Sequence, residues 1–185
     1  MKWAIRIAGV LFLLLLLAVS ALWLIGHRAR AGQFRAAAEI NGSPEQVWPW
    51  LNEGEKLKQW VSWLVEVRGW NPAAGVGARR VLVMKDENNG GMLMEIQGVC
   101  SDYAPPTRLA VKLTVDGAFQ GEQTYRLTGL GNGRTRIEMD SAYRFASPLA
   151  RLMEPLITAA AEKKAVADIA QLKTLVSHQA TAAAR

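Results

Sequence analysis

Few side chains in this chain are suited to chemistry, and their positions limit what they can do. There are two histidines, one cysteine and three tyrosines. His27 and His178 lie near the two ends, away from the strand-rich middle, and both read as surface residues. Neither completes a Ser-His-Asp set, and no His/Asp/Glu cluster has metal-ligand spacing, so neither a metal nor a cofactor is expected. Cys100 is alone, which excludes an intrachain disulfide and a Cys-based metal site; in an apolar strand it reads as a small buried hydrophobe. Glu95 and Asp140 sit on strands whose alternation sends them outward, where general acid–base work is not expected. Tyr125 and Tyr143 remain. Their hydroxyls could donate a proton or polarise a carbonyl, with Gln123 as a polar partner, or serve as hydrogen-bonded core aromatics. Gly129-Leu-Gly-Asn-Gly133 is no phosphate loop, because it precedes a strand where such loops open a helix. No catalytic residue is assigned.

The elements that must position these groups follow from periodicity. Gln33 to Ile40 alternates as a first strand. Ser43, Pro44 and Gln46 form a helix start with a capping box, and a short helix follows through Val47, Trp48 and Leu51, with Pro49 expected to break it early. A second short helix is expected over about 53–60. Strand runs then follow at Val65–Val67, Arg79–Lys85, Met92–Tyr103, Arg108–Thr114, Phe119–Leu130 and Thr135–Phe145. Short turns separate them, Asn132-Gly133 being the strongest hairpin signal. From Ser147 apolar residues recur at three- and four-residue steps as one long amphipathic helix, with Lys163, Lys164, Asp168 and Lys173 assigned to its wet face and Pro155 as a start or kink. The expected class is α+β: a seven-stranded antiparallel sheet wrapped around a long C-terminal helix.

Residues Ile7 to Ile25 carry no charge and are bracketed by Trp3 and Trp23. At 1.5 Å per residue they just span a hydrocarbon core of about 30 Å, and the run exceeds a signal-peptide core, so an uncleaved single-pass anchor is expected. The rival is cleavage near Ala18–Ala21 or at Ala29-Arg30-Ala31. The flanking charges nearly tie, with a slight preference for an extracytoplasmic domain. The expected organisation is an anchor with basic flanks at 1–32, a folded domain at 33–178 and a disordered tail at 179–185.

The net charge of +6 invites a nucleic-acid reading, but its location argues otherwise. Residues 1–35 hold five basic residues and no acidic one, leaving 17 basic against 16 acidic beyond them. A near-neutral domain lacks the footprint needed to neutralise phosphates, so no nucleic-acid partner is expected.

Alternation sorts the strands into two faces. Met92, Met94, Ile96, Gly98 and Cys100 share one side of their strand, as do Leu109, Val111 and Leu113 on the next. Phe119, Gln123 and Tyr125 lie opposite a polar set, and so do Met139, Ser141 and Tyr143. The inward set is rich in methionine, with almost nothing ionisable. This pattern suits an adaptable apolar pocket with a few placed polar groups, and equally a packed core without a cavity.

Five stretches add a resemblance. Ile40-Asn-Gly-Ser-Pro-Glu-Gln-Val-Trp48 resembles the "I-x-A-P-x-E-x-V-W" opening of the START-like (SRPBCC) superfamily, which holds the polyketide cyclase/dehydrase and lipid-transport proteins and the birch-pollen allergen fold. Leu57-Lys-Gln-Trp60 is similar to its tryptophan-bearing second helix, and Gly75-Val-Gly77-Ala-Arg-Arg80 to its glycine-then-basic strand entry. Glu95 through Tyr103-Ala-Pro-Pro-Thr-Arg-Leu109 resembles its "E-x-V-x-x-x-x-P-P-x-R-L" stretch, and Asp168-Ile-Ala-Gln-Leu-Lys173 its last helix. The resemblance covers about residues 34–176. It implies the helix-grip (Bet v 1-like) fold with the helix over an apolar pocket, and it places Trp60 and Trp63 near the pocket mouth. The cyclases of this group carry ionisable groups in the pocket, which this inward set lacks.

The expected function is membrane-tethered binding or transfer of a hydrophobic small molecule such as a lipid, quinone or polyketide-like ring. The expected ligand contacts are Trp60, Trp63, Met92, Met94, Ile96, Val111, Leu113, Phe119, Gln123, Tyr125, Met139 and Tyr143, with Met153 and Ile157 from the long helix. The alternatives are a cyclase, aromatase or dehydratase using Tyr125 or Tyr143 with Gln123, and a non-catalytic domain that docks on a membrane protein.

Overall fold

A computed structural model describes residues 2–26, 32–86 and 90–183. His27, Arg28, Arg30 and the Ala29-Arg30-Ala31 cleavage alternative lie outside the described residues. Four helices, α1 (Lys2–Gly26), α2 (Pro44–Asn52), α3 (Gly54–Trp60) and α4 (Pro148–Ala183), accompany seven strands. The strands are β1 (Gln33–Asn41), β2 (Leu64–Arg68), β3 (Arg79–Asp86), β4 (Met92–Ala104), β5 (Arg108–Val115), β6 (Phe119–Gly131) and β7 (Arg134–Phe145). They form one antiparallel sheet in the order β1-β7-β6-β5-β4-β3-β2. From β2 to β7 each strand pairs with its successor, as short turns require. The Asn132-Gly133 turn puts both residues at positive φ, the geometry whose twist matches a hairpin.

The short helices form where their caps predict. Gln46 Oε1 accepts the Ser43 backbone N–H at 2.8 Å, the reach-back of a capping box. Pro49 does not end α2, which runs on to Asn52. Burial of Val47, Trp50 and Leu51 on one face holds the helix against the loss of a single hydrogen bond.

α4 covers the apolar sheet face chiefly from Ala165 onward. Ala165, Ile169, Leu172 and Val176 are buried there, against Ile40, Leu51 and Ile137, which are inaccessible to solvent. The helix runs through Pro155 without a break and extends to Ala183, past the point where residues 179–185 were expected to form a disordered tail. The Ala-rich sequence there contains no breaker and has high helix propensity. Asp168, expected on the wet face, is instead 8% exposed.

The expected single-pass placement is overturned, and with it the anchor on which the extracytoplasmic assignment and the membrane partner rested. Among the described residues no helix is long and apolar enough to cross a membrane.

On the outer sheet face Asp140 accepts hydrogen bonds from Arg35 and Arg126, tying β1, β7 and β6 together. Burial alone would raise the Asp140 pKa, but the hydrogen bonds and charges of Arg35 and Arg126 outweigh it and hold the carboxyl below its usual range.

Two outcomes follow. Leu172→Ala should lower unfolding free energy by about 2–5 kcal/mol in urea titrations, because it empties volume in the closed core. Asp140→Asn should cost stability at neutral pH only. A depressed folded pKa contributes stability above the unfolded value of about 3.9 and loses it as pH falls through the folded one. Melting curves of the two proteins should therefore converge in acid.

Candidate ligand-binding site

The inward side chains form rows across the sheet, and burial changes from one row to the next. Leu127 pairs with Ile137, and Leu109 follows through Tyr125 to Met139; all five are buried beneath the second half of α4. Cys100, Val111, Gln123, Ser141 and Phe34 make the next row, fully buried only at Cys100 and Val111. Then come Arg80, Gly98, Leu113, Gly121 and Tyr143. Beyond them Val115, Phe119 and Phe145 are half-buried, and Met94 and Met92 are exposed, Met92 by 62%. The first half of α4 leaves Leu149, Met153 and Leu156 exposed as well. One end of the concave face is thus sealed core, and toward the other, past buried Ile96, the apolar side chains are half-buried or exposed and form the candidate groove.

The row at the boundary carries two glycines, and both are required. A Cβ on Gly98 would lie 2.9 Å from Arg80 Cγ and 3.2 Å from Val111 Cγ1. A Cβ on Gly121 would lie 2.6 Å from the Ala142 carbonyl oxygen and 2.7 Å from Tyr143 Cβ. Glycine here lets neighbouring side chains lie across the sheet. Arg80 does so.

The sequence reading placed almost nothing ionisable inside, and Arg80 corrects it. Its residue is 6% exposed, and its Nε and Nη1 have no hydrogen-bond partner. The guanidinium stacks on the Trp70 ring at 4.8 Å, and the Trp70 indole N–H is itself buried without a partner. Desolvation lowers the Arg80 pKa, while Tyr125 and Cys100 nearby oppose that shift. The missed signal was parity: Arg80 alternates with Leu82 and Met84, and it pairs with Gly98, which the sequence placed inward.

The two candidate tyrosines differ. Tyr143 donates its hydroxyl to Thr158 Oγ1 at 2.8 Å, and Thr158 donates in turn to the Glu154 carbonyl. Burial raises the Tyr143 pKa, with the Thr158 contact opposing. Tyr125 instead accepts from Gln123 Nε2 at 2.5 Å, which leaves its own proton available. Desolvation pushes the Tyr125 hydroxyl far up, so it stays protonated at any ordinary pH. Asp168 cannot serve as the matching base. Ser62 donates to it from both backbone N–H (3.2 Å) and Oγ (2.6 Å), and Lys164 from Nζ at 2.7 Å.

The remaining expected contacts fall into three groups. Ile96, Val111 and Met139 are buried in or beside the core, and Leu113, Phe119, Gln123 and Ile157 are half-buried along the groove and on α4. Trp60 is buried core, donating its indole N–H to the Trp50 carbonyl at 2.9 Å and meeting Tyr125 edge-on, so it does not stand at a mouth. Trp63 is half-exposed in a left-handed conformation (φ 72°), beneath Lys164 Nζ at 5.2 Å. Met92, Met94 and Met153 lie exposed at the open end. Among the described residues no three His, Cys, Asp or Glu side chains gather as a metal site.

The family described as polyketide cyclase / dehydrase and lipid transport matches residues 31–177. No curated protein matches the sequence. Similar solved structures include a conserved protein of Geobacillus kaustophilus, 11% identical, with TM-score 0.65 over 79% of this chain and 95% of that one. A START superfamily protein of Mycobacterium smegmatis is 15% identical, with TM-score 0.59 over 80% and 95%. A protein from the dynemicin biosynthetic locus is 14% identical, with TM-score 0.57 over 77% and 46%. At these identities the likeness is one of fold.

Gly98→Ala should destabilise the chain by about 1–3 kcal/mol through overpacking. In an Arg80→Ala background the same change should cost distinctly less, because only the milder Val111 contact remains. A double-mutant cycle in urea measures that coupling.

Proposed function

This chain belongs to the polyketide cyclase/dehydrase and lipid transport family, and on that premise we propose that it binds and hands on a hydrophobic small molecule, without transforming it, in the groove at the open end of its sheet. The observation that carries this reading is the gradient of burial along one apolar face: Leu109 and Val111 are inaccessible, while Met92, Met94 and Met153 on the same apolar surfaces are open to solvent. A contiguous exposed apolar surface is unfavourable in water and marks a binding site. Its walls are suited to rings and chains alike. Phe119 meets Phe145 edge-on at 6.2 Å, Phe145 meets Tyr143 at 5.4 Å, and flexible methionines line the rim.

A cyclase- or dehydratase-type activity is the second reading, and the free Tyr125 hydroxyl beside Arg80 favours it. Together they could polarise a carbonyl oxygen. Proton abstraction next to that carbonyl would still need a base, and the inward carboxylate, Asp168, already has three donors on it. Binding without turnover fits these groups better.

The test uses the neutral apolar dye N-phenyl-1-naphthylamine with the full chain. Its fluorescence should rise and shift to the blue on binding, and native mass spectrometry should show one bound dye per chain. Leu113→Trp, which fills the groove floor between Gly98 and Gly121, should weaken the dye by about tenfold or more while the protein stays folded. Failure of the natural chain to take up the dye would sink the carrier reading. Turnover of a polyketide-like substrate that Tyr125→Phe abolishes would replace it with the second.

A further inference from the structure

We infer that the ligand of this groove is an amphiphilic monoanion, an apolar body with a carboxylate head, seated with its head on Arg80 and its tail along the open end of the sheet. The inference deepens the apolar-ligand reading and rests on it.

The first ground is the state of the guanidinium. A buried cation is tolerated when it is paired and hydrogen-bonded, and leaving its donors unmatched is strongly unfavourable. Arg80 has two buried donors without a partner, and none of the ion pairs among the described residues includes it. Stacking on Trp70 supplies only part of what water would provide.

The second ground is the local balance of donors and acceptors. Beside the Arg80 donors the Trp70 indole N–H is unsatisfied, and the Tyr125 proton is unused because Gln123 already donates to its oxygen. The groups facing Arg80 that could become anions are Cys100 on β4 and Tyr125 on β6, and burial keeps both neutral. Asp168 on α4 acts on Tyr125 from a distance but spends its oxygens on Ser62 and Lys164. What is left unmatched there is donors and one positive charge, with no anion to accept from them. A carboxylate supplies both missing items, and its single charge matches the single cation.

The third ground is position. Arg80 stands in the row where sealed core gives way to open groove, and Gly98 is bare so that its side chain can lie there. A molecule entering from the open end meets aromatic and methionine side chains first and the guanidinium last. That order selects a long apolar body with one anionic terminus.

The experiment compares decanoate, decan-1-ol and decyl phosphate by calorimetry on the full chain. The acid and alcohol share a tail, so their affinity ratio reads the head group alone. Decanoate should bind about tenfold or more tighter than decan-1-ol, as expected for hydrogen bonds to a charged group. It should also bind more tightly than the phosphate, whose second charge has no partner. Arg80→Met should equalise acid and alcohol, and without ligand should melt no lower than the natural chain, since it removes an unpaired buried charge. Arg80→Lys covers the case in which that variant fails to fold. Its preference for the acid should fade as pH rises through a lysine pKa lowered by burial, whereas the natural preference should not.

Equal affinity for acid and alcohol in the natural chain overturns the inference and leaves the apolar-ligand reading standing. So does a preference that survives Arg80→Met, or one in Arg80→Lys that is indifferent to pH. Tighter binding of the phosphate overturns the monoanion. If none of the three binds, the groove itself is not a ligand site, and both readings fall together.

Discussion

A single antiparallel sheet with one apolar face must cover that face, and α2, α3 and one long helix share the task. The alternation of β4 to β7 commits every second side chain to the concave side, while Asp140, Arg126 and Glu138 are committed to the other. At 36 residues α4 is about 54 Å long, and its apolar burial is concentrated from Ala165 onward. Burying Ala165, Ile169, Leu172 and Val176 closes one end and leaves the rest of the apolar face open. The groove is what this incomplete covering leaves, and the core residues that seal one end also give the open end a rigid floor.

Much of this was legible in the chain because the governing signals are local. Strand periodicity, the Asn132-Gly133 turn and the Ser43–Gln46 cap each act within a few residues, and each element formed close to where it was expected. The departures have tertiary causes. α2 survives Pro49 because Trp50 and Leu51 bury, and Trp60 leaves the expected mouth for the core because Trp50 offers it a carbonyl. Asp168 is drawn inward by Ser62, more than a hundred residues away, a contact that no helical wheel contains. The hydrophobic run near the amino terminus shows the opposite failing. Its composition suggested a span, but among the described residues no helix is long and apolar enough to cross a membrane.

Arg80 was the most consequential omission, and composition was the reason. In Arg79-Arg80-Val81-Leu82 a pair of arginines looks like a solvated strand entry, and residue type outweighed parity. Parity was the better guide. An inward arginine opposite an inward glycine is a specific arrangement, since the glycine removes the side chain that would otherwise keep the guanidinium off the sheet. Trp70, from the loop after β2, then supplies the face on which the cation rests. A loop and two successive strands are needed to create one charged spot.

The same spot separates recognition from catalysis. Electrostatic catalysis needs a cation or donor where negative charge develops, together with a group that moves a proton at the same moment. Arg80 and Tyr125 fill the first role. Of the groups around Arg80 none fills the second: burial keeps Tyr125 and Cys100 protonated, and Asp168 is held by three donors. A pocket with a fixed cation and no free base can hold charge that a ligand brings with it, but it cannot generate that charge. Such an arrangement binds an existing anion well and leaves a neutral ketone unchanged. On the reading proposed above, the asymmetry between donors and bases, more than the apolar character of the groove, is what favours carrying over catalysis in this chain.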